Sequence, residues 1–404
     1  MCCFLNENED RKTQFKNHFK SLNDVSFSEL FDEKKYLKDA EECFNAIQEL
    51  IEEEKAQKVK PKLRISYYFG SVGVYTLGAS LFYELKDKKN FASCVERILE
   101  IKGSIIKSPR ANYYDELLYG VSGYLYCLLT LQKNFQLENV NLEFKINLEN
   151  YIFEMMEEII ERGIVNYNKD LTLEILMKNK KMPEDFHLIY TFHDKAYIGG
   201  AHGFFGVMNI LYSAYSLNKN YLDSFHKDFI NLFHQLTSQS MIYYINIQMD
   251  SGNFPSSFSR LKKDELVQFC HGSSGAISPL ILASNLYSND KKFDEIVKKS
   301  LVKACENIWQ YGLLKKGYGL CHGISGNGYG MLNYYNFSKD VKWLYRSLIF
   351  ALGKNNKQLM KVIENYEFED RYVPGKSDNP FSLMMGLSGD IMFILHLFFP
   401  EQAK

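Results

Sequence analysis

A pair of glycines three residues apart, opening an apolar segment, occurs six times in this chain: Gly70/Gly73, Gly120/Gly123, Gly203/Gly206, Gly272/Gly275, Gly323/Gly326 and Gly386/Gly389. Successive first glycines are 50, 83, 69, 51 and 63 residues apart, so each interval holds one helical hairpin, with spare length in the wider gaps. One such pair carries no information; six in series constrain the chain to a helical repeat array. The segments they open, such as Tyr124 to Leu131, Val207 to Leu217 and Ile391 to Phe399, are too apolar to be exposed. Amphipathic segments such as Glu41 to Glu54 and Asn150 to Arg162 lie between them. With eight prolines and little strand-like alternation, the expected fold is all-α, with buried helices alternating with half-buried ones in a two-layer barrel. The glycines are expected to serve tight turns, through backbone conformations closed to other residues and through close packing. Turns gathered at one end of such a barrel bring their side chains to a common mouth, which is where chemistry is expected.

The closed array accounts for 404 residues as one domain, with 1–60 an arm plus the first outer helix and 61–404 the barrel proper. Lys plus Arg number 48 against 49 Asp plus Glu, a formal net charge of -1 without a basic cluster, which argues against nucleic acid as a partner. No apolar run reaches the roughly 18 residues of a bilayer span and the N-terminus has no apolar signal core, so a cytoplasmic protein is expected. Eight scattered cysteines, at 2, 3, 43, 94, 127, 270, 305 and 321, fit reduced thiols and a metal site better than disulfides. Cys2 and Cys3 are a weak signal for S-acylation and hence for membrane association.

Two of the six turns carry Cys-His directly before the glycine pair: Cys270-His271-Gly272 and Cys321-His322-Gly323. A third, Ala201-His202-Gly203, keeps the histidine alone. A single Cys-His pair is more often a buried thiol beside a satisfied histidine; duplication in equivalent turns favours a metal. Thiolates and imidazoles select zinc over magnesium or calcium, and two cysteines are too few for an ordinary iron-sulfur cluster. From the residues alone, Cys270, His271, Cys321 and His322 either close a structural site or leave one coordination position open. His202, in a turn without a thiol, is a candidate proton donor or acceptor. No carboxylate pair is evident at the glycine turns, which disfavours a glycosidase reading; Asp194, Asp250 and Asp390 are read as capping or solvated groups.

At these residues the chain resembles the eukaryotic lanthionine synthetase C-like family. The resemblance runs through Tyr197-Ile198-Gly199-Gly200-Ala201-His202-Gly203, Ser251-Gly252-Asn253-Phe254-Pro255, Gln268-Phe269-Cys270-His271-Gly272, Ile308 to Gly326, and Asn379-Pro380-Phe381-Ser382-Leu383 through Gly389. It implies an α/α toroid of about seven inner and seven outer helices, with zinc held by the positions matching Cys270, Cys321 and His322. It implies that His271 orients its turn, that His202 acts in acid-base chemistry and that Lys316 contributes to glutathione binding. The implied activity is transfer of glutathione to dehydroamino acids in peptides or proteins, or to other electrophiles. The alternatives are a glutathione-binding signalling adaptor with vestigial catalysis and a peptide lanthionine cyclase. Three departures from the family pattern bear on the substrate: Thr13 where an arginine is usual, with Arg11 or Lys12 as stand-ins; Gly375 in place of another arginine, with Lys376 as the substitute; and Met385 where relatives commonly have glutamate.

Overall fold

A computed structural model of the chain describes residues 32–56, 65–107, 113–134, 142–179, 183–314, 316–353 and 379–403. The expectations resting on Cys2, Cys3, Arg11, Lys12, Thr13, Gly375 and Lys376 fall outside them. Every repeat opens a helix: α2 (Ser71–Glu84), α4 (Val121–Asn134), α7 (Phe204–Phe225), α9 (Ser273–Leu286), α11 (Ile324–Ser338) and α13 (Leu387–Phe398). Between and before them run α1 (Glu33–Ala56), α3 (Lys88–Lys107), α5 (Leu142–Tyr167), the short α6 (Leu173–Asn179), α8 (Lys227–Asn246), α10 (Lys291–Tyr311) and α12 (Val341–Gly353).

The helices separate by how much of their circumference is apolar. Helix α7 buries Phe204, Phe205, Val207, Met208, Ile210, Leu211 and Tyr212, residues that point in every direction around its axis, so it must be surrounded by protein. Helix α10 buries Phe293, Val297, Leu301, Ala304 and Ile308, one stripe at three- and four-residue spacing, and leaves its other face to water. The first kind of helix forms the inner layer, packed in the order α2, α4, α7, α9, α11, α13; α3, α5, α8, α10 and α12 each lie against the inner helix that precedes them, and α1 lies against α2. The architecture is an α/α toroid. Among the described residues it has six inner and six outer helices, against the expected seven of each. The only described strands are the two-residue β1 (Thr191–Phe192) and β2 (Lys195–Ala196), an antiparallel hairpin just before the third glycine turn.

The reason for the glycines differs from the expected one. Most have ordinary backbone angles: Gly70, Gly203, Gly323 and Gly386 are extended, and of the twelve repeat glycines Gly272 alone has a positive φ, 115°. What the six turns share is a backbone contact. A Cβ on Gly73, Gly123, Gly206, Gly275, Gly326 or Gly389 would in every case lie under 3.0 Å from the carbonyl oxygen of the residue six positions earlier: Tyr67, Leu117, Gly200, Phe269, Leu320 and Leu383 respectively. In four turns the residue after the first glycine also donates its N–H to the carbonyl seven positions back, as in Val121 to Tyr114 (2.9 Å), Phe204 to Tyr197 (3.2 Å), Ile324 to Gly317 (3.0 Å) and Leu387 to Pro380 (2.8 Å). The incoming chain thus lies directly on the first helical turn, with no room for a side chain between them. In the fourth turn the Asn253 side chain takes over, accepting from Ser273 N at 2.9 Å, beside the left-handed Gly272.

Substituting Gly326→Ala sets a methyl group against backbone that cannot rotate away. The expected outcome in chemical denaturation is a loss of about 2 kcal/mol or more, within or beyond the usual overpacking range, whereas Gly103→Ala, where a Cβ meets nothing within 4 Å, is neutral or slightly stabilising.

Candidate functional site

The six turns converge. Leu118, Ala201, Cys270, Cys321 and Met384 form a small buried cluster separate from the main core, with Tyr68, Phe69, Tyr119, Phe269, Leu320 and Met385 packed against it. Phe269 and Leu320 apart, which stand three positions before their glycines, these are the residues one and two positions before the first glycine of a repeat. The inner of the two positions is Tyr68, Leu118, Ala201, Cys270, Cys321 or Met384, and the outer is Phe69, Tyr119, His202, His271, His322 or Met385. The register buries the first set, except for the half-buried Tyr68, and leaves the second half-buried at the mouth. Backbone hydrogen bonds tie turn to turn: Ile65 N to Tyr119 O (3.3 Å), Gly200 N to Phe269 O (3.1 Å), Cys270 N to Cys321 O (3.0 Å) and Cys321 N to Met384 O (2.7 Å).

This belt brings Cys270, Cys321 and His322 together, with their sulfur and nitrogen donor atoms all within 4.8 Å of one another. Tetrahedral zinc, with Zn–S near 2.3 Å and Zn–N near 2.0 Å, places its donors roughly 3.5 to 4 Å apart, so the set suits that ion with only a small contraction. Among the described residues this set of two buried sulfurs and one imidazole from neighbouring turns supplies three of the four donors of a tetrahedral site. Cys270 donates to Cys321, which raises the Cys270 pKa and, with His322 alongside and despite burial, lowers that of Cys321 to about 5. His271 stands outside the donor set. Burial, reinforced by the charges of His202 and Lys316, pushes its pKa down to about 4, and its Nδ1 has no hydrogen-bond partner among the described residues. Lys316 is half-buried and close enough for its charge to act on both Cys270 and His271. Met385 is half-buried against the cluster.

His202 lies beside His271, with ring centroids 6.2 Å apart, and is close enough for its charge to act on Cys321. Its partner went unnoticed in the sequence. Glu116, fully buried, accepts His202 Nδ1 at 3.1 Å through Oε2; the same carboxylate also accepts Leu118 N and Tyr119 N, each at 2.7 Å. This bond joins the second turn to the third. The adjacent Asp115 is buried too, held by Arg162 Nη1 (3.2 Å) and Asn166 Nδ2 (2.8 Å), and accepts Thr191 N (3.3 Å) from the hairpin. The expectation that no carboxylate pair stands at a glycine turn is therefore corrected by Asp115-Glu116, five and four residues before Gly120. The signal was available as two acids in an otherwise aromatic and apolar stretch, Tyr113 to Gly120. Both carboxylates are saturated by hydrogen bonds from protein groups, so they position neighbours and do not face a sugar. Asp390, read as solvated or capping, is also buried and accepts Ser325 Oγ at 2.7 Å; Asp194 and Asp250 are exposed.

Comparison with known proteins follows this geometry. The family model described as lanthionine synthetase C-like protein matches residues 25–404. A Danio rerio relative named Glutathione S-transferase LANCL1 is 30% identical over 340 residues, covering 84% of this chain and 73% of that protein. An Arabidopsis thaliana relative, LanC-like protein GCL1, is 28% identical over 54% of this chain and 44% of its own length. The solved structure of nisin cyclase covers 88% of this chain and 94% of that one at 15% identity, with a TM-score of 0.43, too low to carry any argument. No described helix is long and apolar enough to cross a membrane.

Two outcomes are expected. In metal-free protein the Cys270/Cys321 pair carries one thiolate at pH 7, because the lowered group ionises above about pH 5; thiolate absorbance in the ultraviolet falls as the pH drops through that value and is absent in Cys321→Ala. Glu116→Ala strands two buried backbone N–H groups and destabilises the protein by about 2 kcal/mol or more in denaturant titration.

Proposed function

We propose, from the premise that this chain belongs to the lanthionine synthetase C-like family, that it is a zinc-dependent enzyme that activates the thiol of glutathione and adds it to dehydroamino acids in peptides or proteins. The observation that carries this reading is the three-donor cluster Cys270, Cys321 and His322 with a carboxylate-bound histidine, His202, close enough to act on Cys321. The name of the Danio rerio relative supports glutathione as the thiol.

Cys270, Cys321 and His322 would hold the ion, which when bound supplies a Lewis acid with one position for an incoming thiol and lowers the pKa of that thiol. Three protein donors suit such an open site better than a closed structural one. Glu116 keeps the proton of His202 on Nδ1, so the neutral ring presents Nε2 as a base. Nε2 takes the thiol proton, and the buried carboxylate stabilises the imidazolium that results. The sulfur forms a bond to the β-carbon of the dehydroamino acid while the π pair of the Cα=Cβ bond moves onto the α-carbon and its carbonyl. His202 then returns the proton to the α-carbon, leaving a thioether and a neutral ring. Lys316 would neutralise a carboxylate of glutathione, and Lys376 is proposed for the same role.

The test is mass spectrometry of a dehydroalanine peptide incubated with zinc-loaded protein and glutathione. The expected product is the peptide plus one glutathione. Cys321→Ala is expected to lose both metal and product, and His202→Gln to keep the metal while kcat falls about 10²-fold or more. Zinc-loaded wild type that binds glutathione yet forms no adduct would favour the adaptor reading, to which Met385 at the mouth lends some support.

A further inference from the structure

The imidazole of His202 has a second contact besides Glu116. Phe192 lies face to face with it, centroids 4.2 Å apart and planes within 8°. Tyr119 runs parallel to both, at 6.1 Å from His202 and 5.7 Å from Phe192, with Phe69 behind it at 5.1 Å. One hydrogen bond to Nδ1 fixes a point on the imidazole and leaves the ring free to swing about that point, and the swing bends the bond to Glu116 and weakens its hold on the Nδ1 proton. A flat aromatic face laid against it removes that swing.

The segment bearing Phe192 is built to deliver this contact. A hairpin with two residues per strand is too short to hold itself together, and this one turns through His193 (φ 48°) and Asp194 (φ 59°), a left-handed pair where Asn-Gly is the usual choice. It is held from outside. Thr191 N is bound by Asp115, which is anchored in turn by Arg162 and Asn166, and at the other end Tyr197 bridges to Ser257. Tyr114, the residue before this acid pair, packs its ring against Phe192 itself, centroids 4.7 Å apart. Two consecutive carboxylates therefore hold the two stacked rings, Asp115 through the hairpin and Glu116 directly.

We propose that Phe192 is a positioning residue for His202, fixing the plane and the tautomer of the imidazole together with Glu116 so that Nε2 alone is offered to the reacting groups. The inference rests on the acid-base role of His202 in the proposed reaction, but it concerns a property of the ring that can be read without turnover. Phe192 makes no contact with the donor cluster of Cys270, Cys321 and His322 among the contacts described, so its replacement leaves the metal in place.

The experiment is nitrogen NMR of zinc-loaded protein labelled with [15N]histidine, the His202 signals being those lost in His202→Gln. Wild type is expected to show one proton-bearing and one bare ring nitrogen, widely separated in shift. In Phe192→Ala and in Phe192→Leu, which keeps an apolar side chain but no flat face, the two shifts move toward each other as tautomers average; Phe192→Tyr keeps the wild-type pattern. Adduct formation follows the same order, with kcat about tenfold lower for Ala and Leu and KM for glutathione unchanged within about twofold. A wild-type shift pattern in folded Phe192→Leu overturns the proposal, as does averaging in wild type itself. If no variant forms adduct but the shifts behave as stated, the proposed reaction fails and the positioning role stands.

Discussion

The toroid depends on one repeated steric contact, the second glycine of each pair pressed against a carbonyl oxygen six residues earlier. This contact folds the incoming chain back on the first turn of every inner helix. It fixes the residues one and two positions before the glycine pair at the inner end of that helix, in the same register each time. Six repetitions turn a local packing rule into a ring of side chains. The outer layer needs no comparable rule, because an amphipathic stripe packs against whatever apolar surface it meets.

The ring is held by bonds between turns, and their character changes around it. Between the first and second turns, and from the third to the sixth, backbone hydrogen bonds are the common link, with serine hydroxyls beside them in Ser66 to Leu118 O, Ser274 to Gly326 O and Ser325 to Asp390. The second and third turns are joined by Glu116 and His202, and by Asp115 and the hairpin. Where backbone holds the ring, the side chains are released for other work, and there stand Cys270, Cys321 and His322. Where side chains hold the ring, they are themselves fixed in orientation, and there stands the histidine proposed to move a proton. The donor atoms and the base thus stand at one mouth, both near His271, which burial keeps neutral.

The repeat period, the two classes of helix and the duplicated Cys-His turns were legible in the sequence because each depends on residues near one another or on recurrence of a short motif, whereas the choice of Cys270, Cys321 and His322 without His271 came from the family resemblance. The explanation of the glycines was only half legible. Sequence shows that a Cβ is excluded but not whether torsion or a neighbour excludes it, and Gly272 is the one repeat position where torsion does. Glu116, Phe192 and Asn253 act across 86, 10 and 20 residues on His202 and Ser273, and no local pattern announces such pairings. Asp115-Glu116 carries no signal of its own for a further reason: paired acids in sequence suggest groups facing a substrate, and these two face inward to hydrogen-bond donors. Lys376 lies outside the described residues, and its place in the account rests on the family pattern alone.

X-ray absorption at the zinc edge tests the central claim most directly, because it counts donor atoms by type. The account predicts two sulfurs near 2.3 Å with nitrogen and oxygen donors near 2.0 Å making up the shell, and a rise to three sulfurs when glutathione is added. Four protein donors in the resting state, or a sulfur count that stays at two under saturating glutathione, would contradict it.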